Sequence, residues 1–262
     1  MDYKLKGKVA IVGGSSKGLG KASAVSLAKE GVNIVLCARN EVELEKTKKE
    51  IEALGVEVLA LSVDMTKEED NERIVNETID RFGTVDILVN NSGGPSPGSF
   101  RDFSIEDFDD AYNSVFRYNI RMTKLCLPYM EQKGWGRIIN VASISVKEPM
   151  PDLLLSNIFR TAVVSFAKSI SKELIGNGVT INNICPGYFL TERVTQLMEK
   201  ESKDTTISLQ EVKQKKVAAF PHKRFMNPEE FGAMVAYLSS EQARSVTGTT
   251  IQIDGGVNSS VL

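Results

Sequence analysis

Residues 9–20 read Val9-Ala10-Ile11-Val12-Gly13-Gly14-Ser15-Ser16-Lys17-Gly18-Leu19-Gly20, and this stretch predicts the fold. A short apolar run precedes a glycine-rich turn, and residues 21–30 then have the composition of a helix. In such a strand–turn–helix, free backbone N–H groups and the positive end of the helix dipole meet beside a small cavity. The stretch therefore predicts a site for the pyrophosphate of a dinucleotide.

The composition is that of a soluble globular protein. The chain has 262 residues, of which 42% are hydrophobic and 25% charged, and its net charge is −2. We expect one domain over residues 1–262, because an open α/β sheet of this size is ordinary. The charge gives no reason to expect nucleic acid or anionic membrane as a partner. No apolar run reaches the roughly 20 residues that cross a bilayer, and no signal sequence precedes the first strand, so we expect a cytoplasmic protein.

Metal binding and cysteine chemistry are not expected. Cys37, Cys126 and Cys185 are scattered along the chain, and His222 is its one histidine. This inventory has neither the spacing of a zinc cluster nor a Cys–His pair, so no metal site is predicted. We expect the cysteines to be small core residues. We expect His222 to lie on the surface, with a substrate contact as the alternative.

Short apolar runs alternate with amphipathic helical stretches along the whole chain. Strands are predicted at 9–12, 34–36, 58–61, 87–89, 138–141, 179–184 and 250–253. Helices are predicted at 18–30, 41–54, 67–82, 104–132, 152–176 and 228–240. Strands this short and this continuously apolar are typical of a sheet buried on both faces. Repeated β–α units predict an α/β fold, a doubly wound parallel sheet of about seven strands with helices on both faces.

Residues 191–227 break this alternation, because they are polar, charged and long. A segment of this kind before the last helix and strand is more typical of a mobile flap over a site than of a second domain. We therefore expect 191–227 to be a substrate flap within the single domain.

The glycines and the ends of the other strands favour the same kind of site. Gly14, Gly18 and Gly20 remove side chains where the backbone turns and approaches a phosphate, although a plain strand-to-helix turn is the alternative. Polar residues end three other strands, namely Asp64, then Asn90-Asn91-Ser92-Gly93, then Pro186-Gly187-Tyr188-Phe189-Leu190-Thr191. Because ligands of such sheets bind at the carboxyl ends of the strands, these residues favour a dinucleotide site.

Together these residues resemble the short-chain dehydrogenase/reductase family over essentially the whole chain. The resemblance rests on the glycines of 14–20, Asp64, residues 90–93, Pro186-Gly187 and the tail Thr247-Gly248…Asp254-Gly255-Gly256. It implies a Rossmann-like single domain, a nicotinamide dinucleotide, and hydride transfer between that cofactor and a carbonyl or alcohol.

The resemblance also implies which residues contact the cofactor. In the family, the position of Asn90 lies near the adenosine half, and the positions of Pro186, Gly187 and Thr191 lie near the nicotinamide. The expected cofactor contacts are Gly14, Ser16, Lys17, Gly18, Leu19, Gly20, Arg39, Asp64, Met65, Asn90, Gly93, Pro186, Gly187, Phe189 and Thr191.

The end of the second predicted strand favours NADP(H) over NAD(H). An acidic residue there would bind the ribose hydroxyls of NAD and repel a 2′-phosphate, but the strand runs Val35-Leu36-Cys37-Ala38-Arg39. Arg39 and Lys17 could both flank a phosphate, and an arginine can bind one through two hydrogen bonds. The alternative is that both are surface cations.

The catalytic residues that the family implies are changed in this chain. Members use an asparagine, a serine, a tyrosine and a lysine, with the tyrosine as general acid/base. Residues 137–143 match the family's fifth strand, which puts Ser143 at the serine position. The Tyr-x-x-x-Lys frame then falls on residues 156–160, where Ser156 replaces the tyrosine and Arg160 the lysine. The asparagine position falls on Val115, while Asn119 lies one helical turn later and is either its substitute or a surface residue.

These replacements leave the proton donor open. A serine hydroxyl is a far weaker acid than a tuned phenol, and arginine stays charged and cannot relay a proton. Arg160 is then either a cofactor contact or part of a structural ion pair. Tyr188 is a candidate substitute acid, with plain packing as the alternative. Asp152 shares the i, i+4 spacing of Ser156 and Arg160 and would lie on one helix face with them, or else complement a helix N-terminus.

We therefore expect Ser143, Ser156, Arg160 and Tyr188 to be the catalytic residues of an oxidoreductase. It would use NADP(H), act on an unknown carbonyl or alcohol, and have a non-standard proton donor. The alternative is a catalytically impaired NADP(H)-binding protein, a sensor or an assembly subunit. Non-redox chemistry on a bound nucleotide, such as a lyase or isomerase step, is a third interpretation.

The expected partners are a small-molecule substrate and further copies of the chain. Helices 104–132 and 152–176 resemble the paired interface helices of the family, so we expect a homotetramer, or else a dimer. The apolar residues that exceed what one sheet face needs are Phe116, Ile120, Leu127, Leu153, Leu154 and Phe159.

Overall fold

The computed structural model describes residues 2–261, with side chains for all of these except Arg193, Leu197 and Lys200. The strands of this part are β1 Val9–Gly13, β2 Asn33–Ala38, β3 Val58–Ser62, β4 Ile87–Asn90, β5 Gly136–Val141, β6 Val179–Pro186 and β7 Thr250–Ile253. Its α-helices are α1 Gly18–Lys29, α2 Glu41–Glu52, α3 Glu68–Phe82, α4 Ile105–Ala111, α5 Tyr118–Gln132, α6 Leu154–Ile175, α7 Glu192–Thr205, α8 Leu209–Ala219 and α9 Pro228–Ser239.

The strands form one parallel sheet in the order β3-β2-β1-β4-β5-β6-β7. This confirms the predicted Rossmann-like, doubly wound, single-domain α/β fold. The strand order reverses between β1 and β4, which opens a crevice at their carboxyl ends. The glycine-rich turn lies at this crevice because it directly follows β1.

The strands are apolar on both faces because helices cover both. In β1, Ala10 and Val12 face a core formed with α1, α2 and α9, whereas Val9 and Ile11 face a core formed with α3, α5 and α6. Successive side chains of a strand point to opposite faces, so a fully apolar strand needs a helical layer on each side. All three cysteines are buried, which confirms that they are core residues.

The predicted helix over 104–132 contains a wide turn. Its backbone is helical from α4 into α5, but Tyr112–Arg117 between them form a π-helical segment. Such a turn takes in one more residue than an α-helical turn and so rotates the side chains that follow it. Val115 in this segment is buried, and Asn119 is only 4% exposed. The surface alternative for Asn119 is therefore wrong.

Residues 191–227 contain two helices that the sequence analysis did not predict, α7 and α8. Thr191 caps α7, and Ser208 and Glu211 form a capping box at the start of α8. The sequence does not reveal these helices, because the segment is polar and has few apolar residues to show helical periodicity. The segment has a small apolar cluster of its own, whose buried members are Met198, Val212, Phe220 and Phe225. That this segment covers a substrate stays a prediction.

The outer sides of α5 and α6 keep part of their apolar surface exposed. Of the residues expected to mediate self-association, each is half-buried in the single chain, namely Phe116, Ile120, Leu127, Leu153, Leu154 and Phe159. The homotetramer stays a prediction. Within residues 2–261, no helix is both long enough and apolar enough to span a membrane.

A chain of buried amides crosses the sheet near its carboxyl edge. Asn90, Asn140 and Asn183 pair in register on β4, β5 and β6. Asn90 Nδ2 donates to Oδ1 of Asn119 (2.9 Å) and of Asn140 (3.0 Å). Asn140 Nδ2 donates to Asn183 Oδ1 (3.0 Å), and Asn183 Nδ2 donates to Thr250 Oγ1 (3.2 Å). The amides thus link β4, β5 and β6 to one another and to the first residue of β7.

Replacing the central amide should destabilise the fold. Asn140→Ala removes one acceptor from Asn90 and the donor to Asn183, and each buried polar group left without a partner costs about 1–3 kcal/mol. We expect the free energy of unfolding in urea to fall by about 2–4 kcal/mol. The exposed Asn177→Ala serves as the control, with an expected change within about 0.5 kcal/mol. Equal stability of the two variants would mean that the amide chain contributes little.

A bidentate ion pair closes the junction between α8 and α9. Arg224 donates to both carboxylate oxygens of Glu230 (2.6 and 2.9 Å), and the backbone N–H of Asn227 donates to the same group (2.9 Å). The hydrogen bonds from Arg224, followed by the one from Asn227, lower the pKa of Glu230 from its usual 4.5 to about 2.

This pKa predicts a pH-dependent contribution to stability. Because the pKa of Glu230 is lower in the folded chain, its contribution is fully present above about pH 4.5 and is lost as the pH falls towards 2. The pair is largely exposed, so we expect the wild type to lose only about 1 kcal/mol more than Glu230→Gln over this range. Urea unfolding at several pH values measures the difference, and Glu229→Gln controls for removing a carboxylate from the same turn. Parallel pH profiles of wild type and Glu230→Gln would contradict the assignment.

Candidate cofactor and active site

The glycine loop is packed tightly against the loop that follows β4. Asn91 Nδ2 donates to the carbonyl of Gly13 (2.9 Å). A Cβ on Gly20 would lie 2.3 Å from the carbonyl oxygen of Gly14 and 2.7 Å from Asn91 Nδ2. Only glycine fits at position 20, because the start of α1 passes directly over the turn that leaves β1.

Two serines fix the middle of the loop to the neighbouring β–α unit. The backbone N–H of Cys37 donates to Ser15 Oγ (2.9 Å), and Ser15 is fully buried. Thr47 Oγ1 on α2 donates to the carbonyl of Ser16 (3.0 Å). The loop is therefore held from β2 and α2 on one side and from Asn91 on the other. Ser15, Thr47 and Asn91 were not among the expected site residues.

The N-terminus of α1 has the properties of an anion site. Gly18 begins the helix with φ +60°, and the side chain of Lys17, at the N-cap, makes no capping hydrogen bond. The first turn contains no acidic residue. The backbone N–H groups of this turn thus have no side-chain cap, and the helix itself supplies no carboxylate to neutralise its dipole there. This arrangement fits a pyrophosphate, and Leu19 and Gly20 lie in the same turn.

Two cations flank the loop, and both are exposed. Lys17 Nζ lies 2.9 Å from Glu192 Oε2, at the start of α7. Arg39 directly follows β2. Partial burial opposes ionisation of the nearby Asp64. Hydrogen bonds from Thr66 and the positive charge of Arg39 outweigh this effect, so the pKa of the Asp64 carboxyl is lowered. Asp64, just after β3, is thus a carboxylate that can accept a hydrogen bond from a cofactor, and Met65 beside it is buried.

The residues after β4 divide between the protein interior and the crevice. The side chain of Asn90 is directed into the buried amide chain, so its contact with adenosine stays a prediction. Ser92 Oγ donates to the carbonyl of Ser114 (2.9 Å). Gly93 is exposed, and a Cβ placed on it would meet no protein atom within 4 Å. Gly93 therefore keeps a surface open at this edge.

Arg160 on α6 braces the end of β5. It is 9% exposed, and its Nη1 donates to the carbonyls of Val141 and Ala142 (3.1 Å to Ala142). These two residues directly precede Ser143, which is half-buried and whose Oγ accepts from the backbone N–H of Ser145 (3.1 Å). Arg160 therefore positions the strand end that carries Ser143.

The other residues expected on this helix face differ in position. Ser156 is buried one turn before Arg160 on α6. Asp152 is exposed and precedes the first residue of α6, so the prediction that it shares a helix face with Ser156 and Arg160 is wrong. The helix begins later than predicted because Pro151 and Asp152 form a turn.

Tyr188 is half-buried between β5 and the flap. Its ring stacks on Phe220 with centroids 4.8 Å apart, and it also packs against the cluster that contains Ala142 and Ile144. Those two residues flank Ser143 in the chain, so Tyr188 lies beside the strand end that carries it. The neighbouring Phe189 is buried edge-to-face on Phe231, with centroids 5.8 Å apart.

The turn after β6 brings the flap to the glycine loop. Gly187, which follows Pro186, packs closely against the end of β7. A Cβ on Gly187 would lie 2.8 Å from the Cα of Asp254. Thr191 Oγ1 accepts from the backbone N–H of Val194 at the start of α7. The methyl group of Thr191 lies 3.7 Å from where a Cβ of Gly18 would be.

The environment of His222 differs from the surface position that was expected. Its ring is half-buried, stacks on Phe220 with centroids 5.7 Å apart, and lies so close to Gly255 that an added Cβ would be 2.3 Å from Nδ1. Tyr188, Phe220 and His222 thus form one continuous stack at the base of the flap. Among the described residues, no group of three or more His, Cys, Asp or Glu side chains could hold a metal ion.

Comparisons with known proteins identify the family. Residues 14–258 match the family model described as enoyl-(acyl carrier protein) reductase. The NADPH-dependent reductase BacG of Bacillus subtilis is 32% identical over 97% of this chain and 99% of its own. Dehydrogenase/reductase SDR family member 4 of Oryctolagus cuniculus is 31% identical over 97% of this chain and 95% of its own.

A solved structure of a relative supports the same family. L-sorbose reductase from Gluconobacter frateurii, crystallised with NADPH and L-sorbose, superimposes with a TM-score of 0.96 at 32% identity over 100% of both chains. The family model covers nearly the whole chain, and the fold and the glycine loop agree with it. The chain belongs to the short-chain dehydrogenase/reductase family.

Proposed function

We propose that the protein is an NADP(H)-dependent oxidoreductase that interconverts a carbonyl and an alcohol with a proton donor other than the family's tyrosine. The observation that carries the proposal is the glycine loop, whose helix start has no side-chain cap and is flanked by the exposed Lys17 and Arg39. The relatives support it, since BacG is named an NADPH-dependent reductase and L-sorbose reductase was crystallised with NADPH.

The expected contacts divide into three parts of the crevice. Backbone N–H groups of the first turn of α1 would bind the pyrophosphate. Lys17 and Arg39 would bind a 2′-phosphate, and no acidic residue ends β2 to repel it. Residues 186–191 would line the nicotinamide end. Bound there, NADPH would supply the hydride for the carbonyl carbon.

Ser143 and Tyr188 are the groups proposed to act on the substrate. Ser143 would polarise the carbonyl oxygen by donating a hydrogen bond, and Tyr188 would supply the proton that the new alcohol needs. Arg160 stays charged and holds β5 in place, so its role is positioning. The segment 191–227 would cover the substrate, because it begins beside the glycine loop and its base packs on Tyr188.

A second candidate is a cofactor-binding protein without turnover, a sensor or an assembly subunit. The observation that favours it is the hydrogen bonding of Arg160 to the carbonyls of Val141 and Ala142, which gives a structural role to the residue that the family register predicts at the lysine position. This candidate predicts nucleotide affinity without activity.

Filling the open surface at Gly93 should weaken cofactor binding without unfolding the protein. Because an added Cβ there would meet no protein atom within 4 Å, Gly93→Ala should fold normally but intrude on the cofactor. We expect the Kd for NADPH, measured by nucleotide fluorescence, to rise by about tenfold or more, which corresponds to about 1.4 kcal/mol. Gly176→Ala, at the C-terminal end of α6, is the control and should not change it. Wild-type protein that binds NADH more tightly than NADPH would refute the choice of NADP(H).

Removing the proposed proton donor should abolish turnover while leaving binding intact. Tyr188→Phe keeps the ring stacked on Phe220 and removes only the hydroxyl, so we expect kcat to fall by about 10²–10⁴ with an unchanged Kd for NADPH. Ser143→Ala should behave alike, and the exposed Tyr112→Phe is the matched control. The assay follows NADPH consumption over a panel of ketones and aldehydes.

The same assay separates the two candidate functions. No consumption by the wild type over the whole panel, together with activity gained in the double variant Ser156→Tyr, Arg160→Lys, would favour the binding protein. Full activity of Tyr188→Phe would eliminate Tyr188 as the donor.

A further inference from the structure

The ion pair between Lys17 and Glu192 joins the glycine loop to the flap. Glu192 is the first residue of α7, and its Oε2 lies 2.9 Å from Lys17 Nζ. Gln196, one turn later, donates to the other carboxylate oxygen, Oε1, at 3.0 Å. The carboxylate is thus oriented from within α7 while it faces the loop. Both side chains of the ion pair are about half exposed, so solvent ions and ligands can reach them.

Other charges near Lys17 have partners of their own. Glu43, at the start of α2, pairs with Lys46 at 2.6 Å, and this hydrogen bond, followed by smaller effects of Lys17 and Lys21, lowers the pKa of Glu43. Glu192 is therefore the direct partner of Lys17 among the described residues. The backbone beside this pair is close as well, because Thr191 lies against Gly18.

A phosphate and a carboxylate compete for the same ammonium group. A phosphomonoester carries about −1.5 to −2 charges near neutral pH and offers three acceptor oxygens, so it pairs with a lysine more strongly than a carboxylate does. If Lys17 binds the 2′-phosphate of NADP(H), it must first give up Glu192. NAD(H) lacks the 2′-phosphate and therefore does not compete with Glu192 for Lys17.

We infer that Glu192 is an internal competitor for the 2′-phosphate of NADP(H), and that the phosphate releases the first turn of α7 when it takes Lys17. This inference rests on the proposed function, since it assumes NADP(H) at this loop. Under this inference, the first turn of α7 is released by NADP(H) but not by NAD(H). The competition also makes Glu192 a determinant of cofactor affinity, although this residue belongs to the flap.

Binding of two small adenosine nucleotides tests the competition. Adenosine 2′,5′-bisphosphate carries the 2′-phosphate and 5′-AMP does not, and calorimetry gives the Kd of each. We expect Glu192→Gln to bind the bisphosphate about threefold more tightly than the wild type, as an exposed ion pair allows, with no change for 5′-AMP. The gain should shrink at high salt. Glu199→Gln, an equal charge change in the same helix and outside the ion pairs of the described residues, should leave both Kd values unchanged.

Hydrogen exchange of α7 tests the release without any turnover. The N–H groups of Val194 and Thr195 are bonded to Thr191 in the first turn. In the wild type, adenosine 2′,5′-bisphosphate should speed their exchange and 5′-AMP should not, whereas in Glu192→Gln exchange should be fast without ligand. Exchange that the bisphosphate leaves unchanged would overturn the release.

The outcomes also separate this inference from the proposed cofactor. If the bisphosphate binds more tightly than 5′-AMP, and Lys17→Met abolishes that preference while Glu192→Gln has no effect, the competition is wrong and NADP(H) stands. If the wild type shows no preference for the bisphosphate, both the NADP(H) assignment and the competition are overturned.

Discussion

Buried amide side chains hold the carboxyl edge of the sheet, and both halves of the candidate site depend on them. Asn91 ties the glycine loop to the end of β4, while the chain from Asn119 through Asn90 and Asn140 to Asn183 links β4, β5 and β6. Apolar contacts are not directional, but a buried amide that loses its partner costs about 1–3 kcal/mol. The amides therefore hold the strand ends in one relative position. That position determines where the glycine loop and the end of β5 lie in relation to each other.

Arg160 braces the main chain at the end of β5. Its Nη1 donates to two consecutive main-chain carbonyls, those of Val141 and Ala142, directly before Ser143. That Arg160 stands at the position of the family's lysine stays a prediction. The oxidoreductase and the binding protein differ in whether Tyr188 supplies the missing proton.

The flap is connected to both ends of the crevice. Its first turn contacts the glycine loop through Thr191 and Glu192, and its last turn contacts Tyr188 through Phe220. The segment that contains α7 and α8 therefore connects the glycine loop to Tyr188. These helices bury only a small apolar cluster of their own, and few buried contacts are typical of segments that move without disturbing the core.

The sequence by itself determined the α/β class, the seven strands and the site of the glycine loop. Those features follow from local patterns, such as the continuous apolar runs and the glycines after β1, which act within a few residues of the chain. The catalytic positions that the family register gave to Ser143, Ser156 and Arg160 stay predictions. The π-helical turn, the inward direction of Asn90 and the ion pair of Lys17 with Glu192 were decided by the tertiary structure. Each of these depends on residues that are distant in the chain and meet only when the sheet and its helical layers have assembled.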